Sequence, residues 1–272
     1  IGNSAADAYT ANNITAVGFY ALSAATTGGG NVGVGYEALL SNTTGDNNTA
    51  VGYECMESTT TGTNNTAMGS QTLDAHTTSH SNSAFGFAAG GDITTGGNNL
   101  ALGSQAGMSG SPGGNVTTGS NTILLGDENI AEANIQVDWT VASDERDKTD
   151  FTSLDLGLNF VNALEPFTYK WDKRAKYGNK LADDYDLNAQ TPDGTHKEDW
   201  LDIGFKAQAV LALEEAAGYK IADKKNLTVS LTSDGKQYGL QYSKFIPILV
   251  KALQEADDKI DALTTRIEAL ES

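Results

Sequence analysis

The stretch "NNTAVGYECMESTTTGT", residues 47 to 63, is followed at once by "NNTAMGSQTLDAHTTSH", residues 64 to 80. Both stretches are 17 residues long and begin with two asparagines, a short apolar run and a glycine. The same interval separates six glycines, namely Gly18, Gly35, Gly52, Gly69, Gly86 and Gly103. A seventh copy ends at Gly126 after 23 residues, which indicates a six-residue insertion around "SGSPGG", residues 109 to 114. A register kept over so many copies identifies a repeat array over about residues 12 to 126.

Each repeat is predicted to form one coil of β-structure. An alternating apolar stretch followed by a Thr, Gly and Asn-rich turn predicts a strand, a turn, a short return strand and a second turn. Seventeen extended residues would span about 56 Å, whereas stacked strands advance only about 4.8 Å per layer, so the chain must coil. Ala50, Val51 and Met56 are expected in the core of one coil, which is thin enough to favour packing of several chains.

Glycine and asparagine recur at fixed positions in the repeat. Glycine at one position suits a tight corner or a close approach of two backbones. Asparagine suits left-handed or turn geometry, with side-chain hydrogen bonds to the backbone. The asparagines in question lie four residues before their glycines, at Asn31, Asn48, Asn65, Asn82 and Asn99.

Repeats such as "NVGVGYEAL" and "NNTAVGYECM" resemble the head repeats of trimeric adhesins, which form parallel β-rolls, and also resemble repeats of phage tail fibres. The unit of 17 residues is longer than that of adhesin heads, which leaves the coil shape open. For residues 1 to 142 the expectation is a β repeat array, a parallel β-roll or β-helix, assembled as a trimer.

The composition changes at "VASDERDK", residues 141 to 148. No Lys or Arg occurs in residues 1 to 142, whereas residues 143 to 272 contain all 17, so a domain boundary is predicted beside Ser143. A net charge of −18 with no basic patch in the first half opposes binding to nucleic acid or to anionic lipid. No apolar run approaches the roughly 20 residues that membrane insertion requires.

The sequence gives no reason to expect a cofactor or a metal. His76 and His80 fall in a turn of the repeat rather than on one helix face, so they are expected to be solvated. The single cysteine, Cys55, excludes a disulfide within the chain and falls at a repeat position that is otherwise held mostly by alanine.

Residues 143 to 244 are predicted to form an α+β domain. The segment at 151 to 171 predicts a helix over 154 to 164 and a strand ending at Trp171. Residues 200 to 217 predict a short strand leading into a helix, and residues 227 to 242 a hairpin with Asp234 and Gly235 at its turn. The polar residues 172 to 199 are expected to form an exposed loop.

Residues 245 to 272 are predicted to form a coiled-coil helix. Apolar residues alternate steps of three and four along it, which makes a heptad seam. The seam consists of Ile246, Leu249, Leu253, Ala256, Ile260, Leu263, Ile267 and Leu270. Such a helix associates with copies of itself, and the alternative is a helix packed on its own domain. Alternating Ile and Leu would by itself favour two strands, so the trimer expectation does not come from this helix.

Ser143 and Lys148 are candidates for a catalytic pair. A serine hydroxyl becomes a nucleophile when a base removes its proton, and a lysine with a lowered pKa can be that base. The two residues are five apart, so a turn or a distorted helical turn would bring them together. Arg146 is a weaker candidate, which would keep Lys148 neutral or hold a developing oxyanion. The alternative is that Ser143 caps a helix and that "DERDK" is a solvated turn.

Four motifs in order, "SDERDK", "NALEPFTYKW", "DIGFKAQAV" and "LQYSKFIPILVKALQE", resemble the C-terminal intramolecular chaperone domain of phage tailspikes and tail fibres. The same self-cleaving serine peptidase domain occurs in a membrane-bound eukaryotic transcription factor. The resemblance covers about residues 143 to 272, with departures at Lys206 and Ala209. It implies a domain that trimerises, drives folding of the preceding β-fibre and then cuts itself off, with Ser143 as nucleophile and Lys148 as base.

The resemblance places the cut beside Ser143, at the bond between Ser143 and Asp144. A serine that attacks its own carbonyl closes a strained four-membered ring, whereas attack on the carbonyl of Ala142 gives a five-membered ring. The bond between Ala142 and Ser143 is therefore the second choice.

The expected function is that of a distal phage tail-fibre segment in the virion, made in the host cytoplasm. A homotrimer is expected to bind a host-cell surface receptor, either a glycan or an outer-membrane component. The expected activity is a single self-cleavage by a serine endopeptidase, without external substrates. The alternatives are a trimeric bacterial surface adhesin head without processing and a tailspike that acts on host polysaccharide, although no carboxylate pair stands out in the array.

Overall fold

The computed structural model describes residues 2–7, 10, 12–182 and 184–271. The chain forms two compact units. The first contains residues 1–131, 172–197 and 232–237, and the second contains residues 132–171, 198–231 and 238–272. Two segments that follow residue 143 in sequence are thus part of the first unit. The division into domains at 1–142, 143–244 and 245–272 stays a prediction.

The first unit is built on a parallel β-solenoid. Among the described residues, seven strands of three residues form one sheet in chain order: β1 Thr15–Val17, β2 Val32–Val34, β3 Thr49–Val51, β4 Thr66–Met68, β5 Ser83–Phe85, β6 Leu100–Leu102 and β7 Ile123–Leu125. Thr49 pairs with Thr66 and Ala50 with Ala67, so each residue meets the residue 17 positions later. The parallel β architecture predicted from the repeat is confirmed.

The recurring glycines sit where two backbones approach closely. Gly52 has a φ of +147°, and a Cβ at this position would overlap the carbonyl oxygen of Gly69 in the next coil. Gly35 stands in the same relation to Gly52. Any side chain here would push the coils apart, which confirms the predicted close approach.

The return limb of each coil is a series of turns and not a strand. Glu54 and Met56 both adopt left-handed backbone angles, with φ of 51° and 53°. The same two positions are left-handed in neighbouring coils, at Tyr20, Leu22, Glu37, Leu39, Gln71 and Leu73. The predicted return strand is wrong, because a strand cannot contain left-handed residues at every second position. Backbone groups still pair between coils, as when the N–H of Met56 donates to the carbonyl of Thr72 at 3.0 Å.

The solenoid core is a narrow column of small and medium side chains. Ala50, Cys55 and Met56 are fully buried, as the sequence predicted for Ala50, Met56 and the small-residue position of Cys55. Val51 is only half-buried, so its assignment to the core is wrong. In a three-residue strand, only the middle side chain points inward, because successive side chains face opposite sides.

The recurring asparagines form a buried hydrogen-bonded ladder. The Asn48 Oδ1 accepts from the N–H of Asn65 at 3.0 Å, and its Nδ2 donates to the carbonyl of Gly62 at 2.7 Å. The predicted side-chain hydrogen bonds to the backbone are therefore present. The left-handed conformation belongs to the residue before, such as Asn47 with φ of 57°, and not to the laddered asparagine.

The second unit is a mixed α+β structure. Its strands form two antiparallel pairs, β8 Phe167–Tyr169 with β9 Asp202–Gly204 and β10 Val229–Leu231 with β11 Tyr238–Leu240. Its helices are α1 Leu158–Ala163, α2 Ala207–Ala216 and α3 Phe245–Glu271. The three helices and the β10–β11 pair share a core that includes Leu156, Phe160, Val210, Val229, Phe245 and Ile248. The predicted hairpin and helices are confirmed, although α1 begins four residues later than predicted.

Two glutamates of the second unit, Glu255 and Glu214, tie its helices to other segments through hydrogen bonds. The Glu255 Oε2 of α3 accepts from the N–H of Leu158 at the start of α1, at 2.8 Å. The fully buried Glu214 of α2 accepts from the N–H and the hydroxyl of Thr228 and from the N–H of Leu227. Ser272, the last residue of the predicted coiled-coil helix, lies outside the described residues. In the part of the chain that the structure describes, no helix is both long and apolar enough to span a bilayer.

Candidate functional site

The site around Ser143 is built on one short helical turn. A 3₁₀ helix covers Glu145–Asp147, and the residues on either side of it are extended. The side chain of Asp144 caps this turn, because its Oδ1 accepts from the N–H of Arg146 at 2.9 Å. The cap is therefore Asp144 and not Ser143, which leaves the Ser143 hydroxyl free for another partner.

The turn brings Ser143 and Lys148 together. The Lys148 Nζ lies 2.6 Å from the Ser143 Oγ and 3.2 Å from the Ser143 carbonyl oxygen. A nucleophile and a base within hydrogen-bonding reach is the arrangement that serine activation requires. The same amine, once protonated, is placed to donate to the carbonyl of the bond between Ser143 and Asp144.

Arg146 is held by Asp144. The Arg146 Nε lies 3.0 Å from Asp144 Oδ1, and its Nη2 lies 2.6 Å from Asp144 Oδ2. This hydrogen-bonded pair lowers the pKa of the Asp144 carboxyl. The guanidinium thus orients the residue that follows Ser143, and its supporting role towards Lys148 or an oxyanion stays a prediction.

The site is open to solvent in the single chain. All residues from Ala142 to Lys148 are exposed. A lysine acts as a base near neutral pH only when burial or nearby cations lower its pKa. One chain therefore brings the two side chains together at a position that is exposed to solvent.

The histidines of the repeat array do not share a site. His76 is fully buried, with its Nδ1 2.9 Å from the Thr59 Oγ1, so the expectation that it is solvated is wrong. The exposed His80 instead accepts from the N–H of Thr63 at 3.1 Å. The two side chains bond to neighbouring coils because they follow the 17-residue period.

The structure also shows an acidic group that the sequence analysis missed. Glu37, Glu54 and Glu57 bring carboxylate oxygens within 4.8 Å of one another, and they are the one set of three potential metal ligands found among the described residues. Glu37 and Glu54 occupy the same repeat position, which is the signal that would have found them. Acidic groups of this kind are common on surfaces without any ion.

Comparison with known proteins supports a chaperone region. Residues 143 to 219 match the model of a family described as the chaperone of endosialidase. The matched region begins at Ser143 and extends past the end of α2. Comparison with curated proteins gives no match, and comparison with solved structures gives none. The chain therefore combines a β-solenoid with a C-terminal region similar to this chaperone family, while the likeness of the repeats to adhesin heads rests on sequence alone.

Proposed function

We propose that the chain is the distal segment of a homotrimeric phage tail fibre that attaches to a host-cell surface receptor. Its C-terminal region acts as an intramolecular chaperone that aligns three chains, drives folding of the solenoid and is then cut off beside Ser143. The observation that carries this proposal is the order of the two regions, a β-solenoid followed at Ser143 by a match to a chaperone family.

The near-identical coils of the solenoid do not by themselves fix how three chains align with one another. Thr49 pairs with Thr66, and Thr66 pairs with Ser83, so a slip by one repeat keeps almost the same partners. Between chains, such a slip changes little in packing energy, so many registers compete. A domain at one end that assembles first would set the alignment for all three chains.

Helix α3 offers a surface for assembly. Phe245, Ile248 and Ala252 bury one side of its first turns in the second unit. The seven large residues of the heptad seam are 49% to 87% exposed: Ile246, Leu249, Leu253, Ile260, Leu263, Ile267 and Leu270. A long apolar stripe left in solvent marks an interaction surface. This supports self-association over the alternative of a helix packed on its own domain.

The solenoid offers a second apolar surface. The third residue of each strand points outward, and these residues align because the strands pair in register: Val17, Val34, Val51, Met68, Phe85, Leu102 and Leu125. Phe19, Tyr36 and Tyr53 stack beside this row, with ring centroids 5.6 Å and 5.1 Å apart. The row supports packing of solenoid against solenoid in the proposed trimer.

The proposed cleavage transfers one acyl group. Lys148 Nζ takes the proton of the Ser143 hydroxyl while the Oγ attacks a carbonyl carbon. The protonated lysine then returns this proton to the departing backbone nitrogen, and water hydrolyses the resulting ester to a carboxylate and a free hydroxyl. Attack at Ala142 produces a C-terminal fragment that begins with Ser143, whereas cleavage of the following bond produces one that begins with Asp144.

A truncated chain tests the chaperone role. A protein that stops at Ala142 is expected to give aggregates or misaligned species, whereas the full chain gives a soluble trimer in sedimentation analysis. The full-length Ser143→Ala variant is the matched control, because it keeps the chaperone region without the proposed nucleophile. A truncated chain that forms the same trimer with the same yield would contradict the chaperone role.

A further inference from the structure

The repeat array is interrupted only once between Gly18 and Gly126. The last interval has 23 residues instead of 17, and the additional residues are 109 to 114. The sheet continues past the interruption in register, with Leu100 paired to Ile123 and Ala101 to Leu124. The insertion therefore leaves the β-ladder intact, and its role has to be sought in what it contacts.

One contact is the tip of the β10–β11 hairpin, residues 232 to 237, which belongs to the first unit. The N–H of Asn115 donates to Asp234 Oδ2 at 2.9 Å, and the Ser233 hydroxyl donates to the carbonyl of Asn115 at 3.1 Å. Gly114 has no room for a side chain, because a Cβ there would lie 2.7 Å from Asp234 Oδ1 and from the Thr232 Cβ. The end of the insertion therefore packs closely against this hairpin tip.

The second contact is the segment 172 to 197, which also belongs to the first unit. A Cβ at Gly110 would lie 2.6 Å from the Cβ of the buried Ala175. Lys180 forms an ion pair with Glu128, just after β7, and the two side chains are only 10% and 6% exposed. Breaking a buried pair by removing one partner is strongly unfavourable, so this contact is specific.

The two segments also hold each other. Arg174 Nη2 donates to the carbonyl of Lys236 at 2.8 Å, and Lys236 Nζ lies 3.0 Å from Asp186 Oδ1. The segment and the hairpin tip therefore present one continuous surface to the last coil.

We infer that residues 109–115 together with Glu128 form a docking socket for residues 172–197 and 232–237 of the same chain, and that this socket marks the register of the solenoid. Every other interval between Gly18 and Gly103 is 17 residues, so only the last coil is different enough to be recognised. The register role rests on the proposed chaperone function, whereas the docking itself does not. After a cut beside Ser143, the socket would keep the C-terminal fragment bound without a covalent link.

A pair of cysteines tests the docking. A Cβ at Gly119 would lie 4.0 Å from the Ser233 Cβ, within the range of about 3.5 to 4.5 Å found in disulfides. The Gly119→Cys/Ser233→Cys variant is made in the Ser143→Ala background, so the result does not depend on cleavage. Mild oxidation is expected to form a disulfide within one chain, seen by peptide mapping as the loss of two free thiols. The buried Cys55 should stay unreacted, because burial raises its pKa to about 12.

Deletion of residues 109 to 114 in the same background tests the socket. It restores the 17-residue interval, and it is expected to slow disulfide formation at least about tenfold, because the charge-assisted hydrogen bond at Asn115 loses its geometry. Single-cysteine variants control for thiols that react elsewhere. A disulfide that forms equally fast after the deletion overturns the socket, and covalent dimers overturn the assignment of the docked segments to the same chain.

A point variant covers the case in which the deletion disturbs folding. Lys180→Ala is expected to slow disulfide formation, whereas Lys197→Ala, at an exposed lysine of the same segment, leaves it unchanged. Equal rates in both variants overturn the proposal. If the disulfide forms at the expected rates but the wild-type chain is never cleaved, the self-cleavage is refuted and the docking stands.

Discussion

Single residues show how strongly the repeat constrains each position. Gly52 has no room for a side chain because Gly69 lies directly against it. Asn48 depends on its amide group, because its Oδ1 accepts from the N–H of Asn65 in the next coil and its Nδ2 donates to the carbonyl of Gly62. The sequence predicted both positions from their period alone. The sequence did not predict that His76 is buried. A histidine in a Thr-rich turn looks like a surface residue, and its burial arises only because the turn stacks on those of neighbouring coils.

The burial of His76 makes the solenoid sensitive to acid. Burial lowers the pKa of this imidazole to about 4, from an ordinary 6.5. As the pH falls, His76 of the unfolded chain takes up a proton before His76 of the folded chain does. The contribution of His76 to the free energy of unfolding is therefore complete above about pH 6.5 and is lost towards pH 4. The loss amounts to at most about 3 kcal/mol.

A comparison of variants isolates this effect. Urea unfolding at pH 7.5 and at pH 5 is expected to show a smaller pH-dependent loss of stability in His76→Gln than in wild type. Burial raises the pKa of Asp74 to about 6, which acts in the opposite direction, but it acts equally in both proteins. An unchanged pH dependence in His76→Gln would refute this prediction.

Glu214 joins α2 to the segment before β10. Its carboxylate is fully buried and accepts three hydrogen bonds from Leu227 and Thr228. Glu214→Ala leaves these donors unsatisfied and is expected to cost about 3 kcal/mol or more, whereas Glu215→Ala at the exposed neighbour costs less than about 0.5 kcal/mol. Hydrogen exchange at Thr228, compared between the two variants, measures the difference. Equal protection in both would contradict this role of Glu214.

At the scale of elements, periodicity in the sequence predicted more than composition did. The 17-residue interval predicted the parallel register of strands β1 to β6, and the heptad pattern predicted helix α3. The return limb was mispredicted because apolar alternation alone does not separate a strand from a series of left-handed turns. The sequence also did not reveal how short the strands are, with only three residues of each coil in extended conformation.

The heptad seam of α3 should help to hold the proposed trimer together. Replacing Ile260 and Leu263 with serine removes two apolar side chains from each chain, worth about 1.5 to 3 kcal/mol each when buried. The proposed trimer is expected to dissociate at micromolar concentration in sedimentation analysis, while the fold of each chain persists because both residues are exposed in it. Asp261→Asn, on the same turn but off the seam, is the control. A trimer of unchanged strength would favour a helix that packs elsewhere.

At the scale of the whole molecule, the sequence predicted the order of the regions but not all of their contacts. The polar residues 172 to 199 were expected to be an exposed loop, yet Ala175 and Leu187 are buried and the first unit contains most of this segment. Its partners lie more than 40 residues away, as with Lys180 and Glu128, and no local pattern reports such a contact. The catalytic candidates were found because Ser143 and Lys148 are joined by a single turn.

The proposed self-cleavage assigns the cut to Ser143 and Lys148, after assembly is complete. Intact mass under denaturing conditions tests it most directly, on freshly expressed wild type beside Ser143→Ala, Lys148→Ala and the exposed control Ser153→Ala. Wild type and Ser153→Ala are expected to give fragments of about 143 and 129 residues, while the other two variants stay whole at 272 residues. A wild-type protein that stays whole as a trimer, or a Ser143→Ala variant that is still cut, would contradict self-cleavage by this pair.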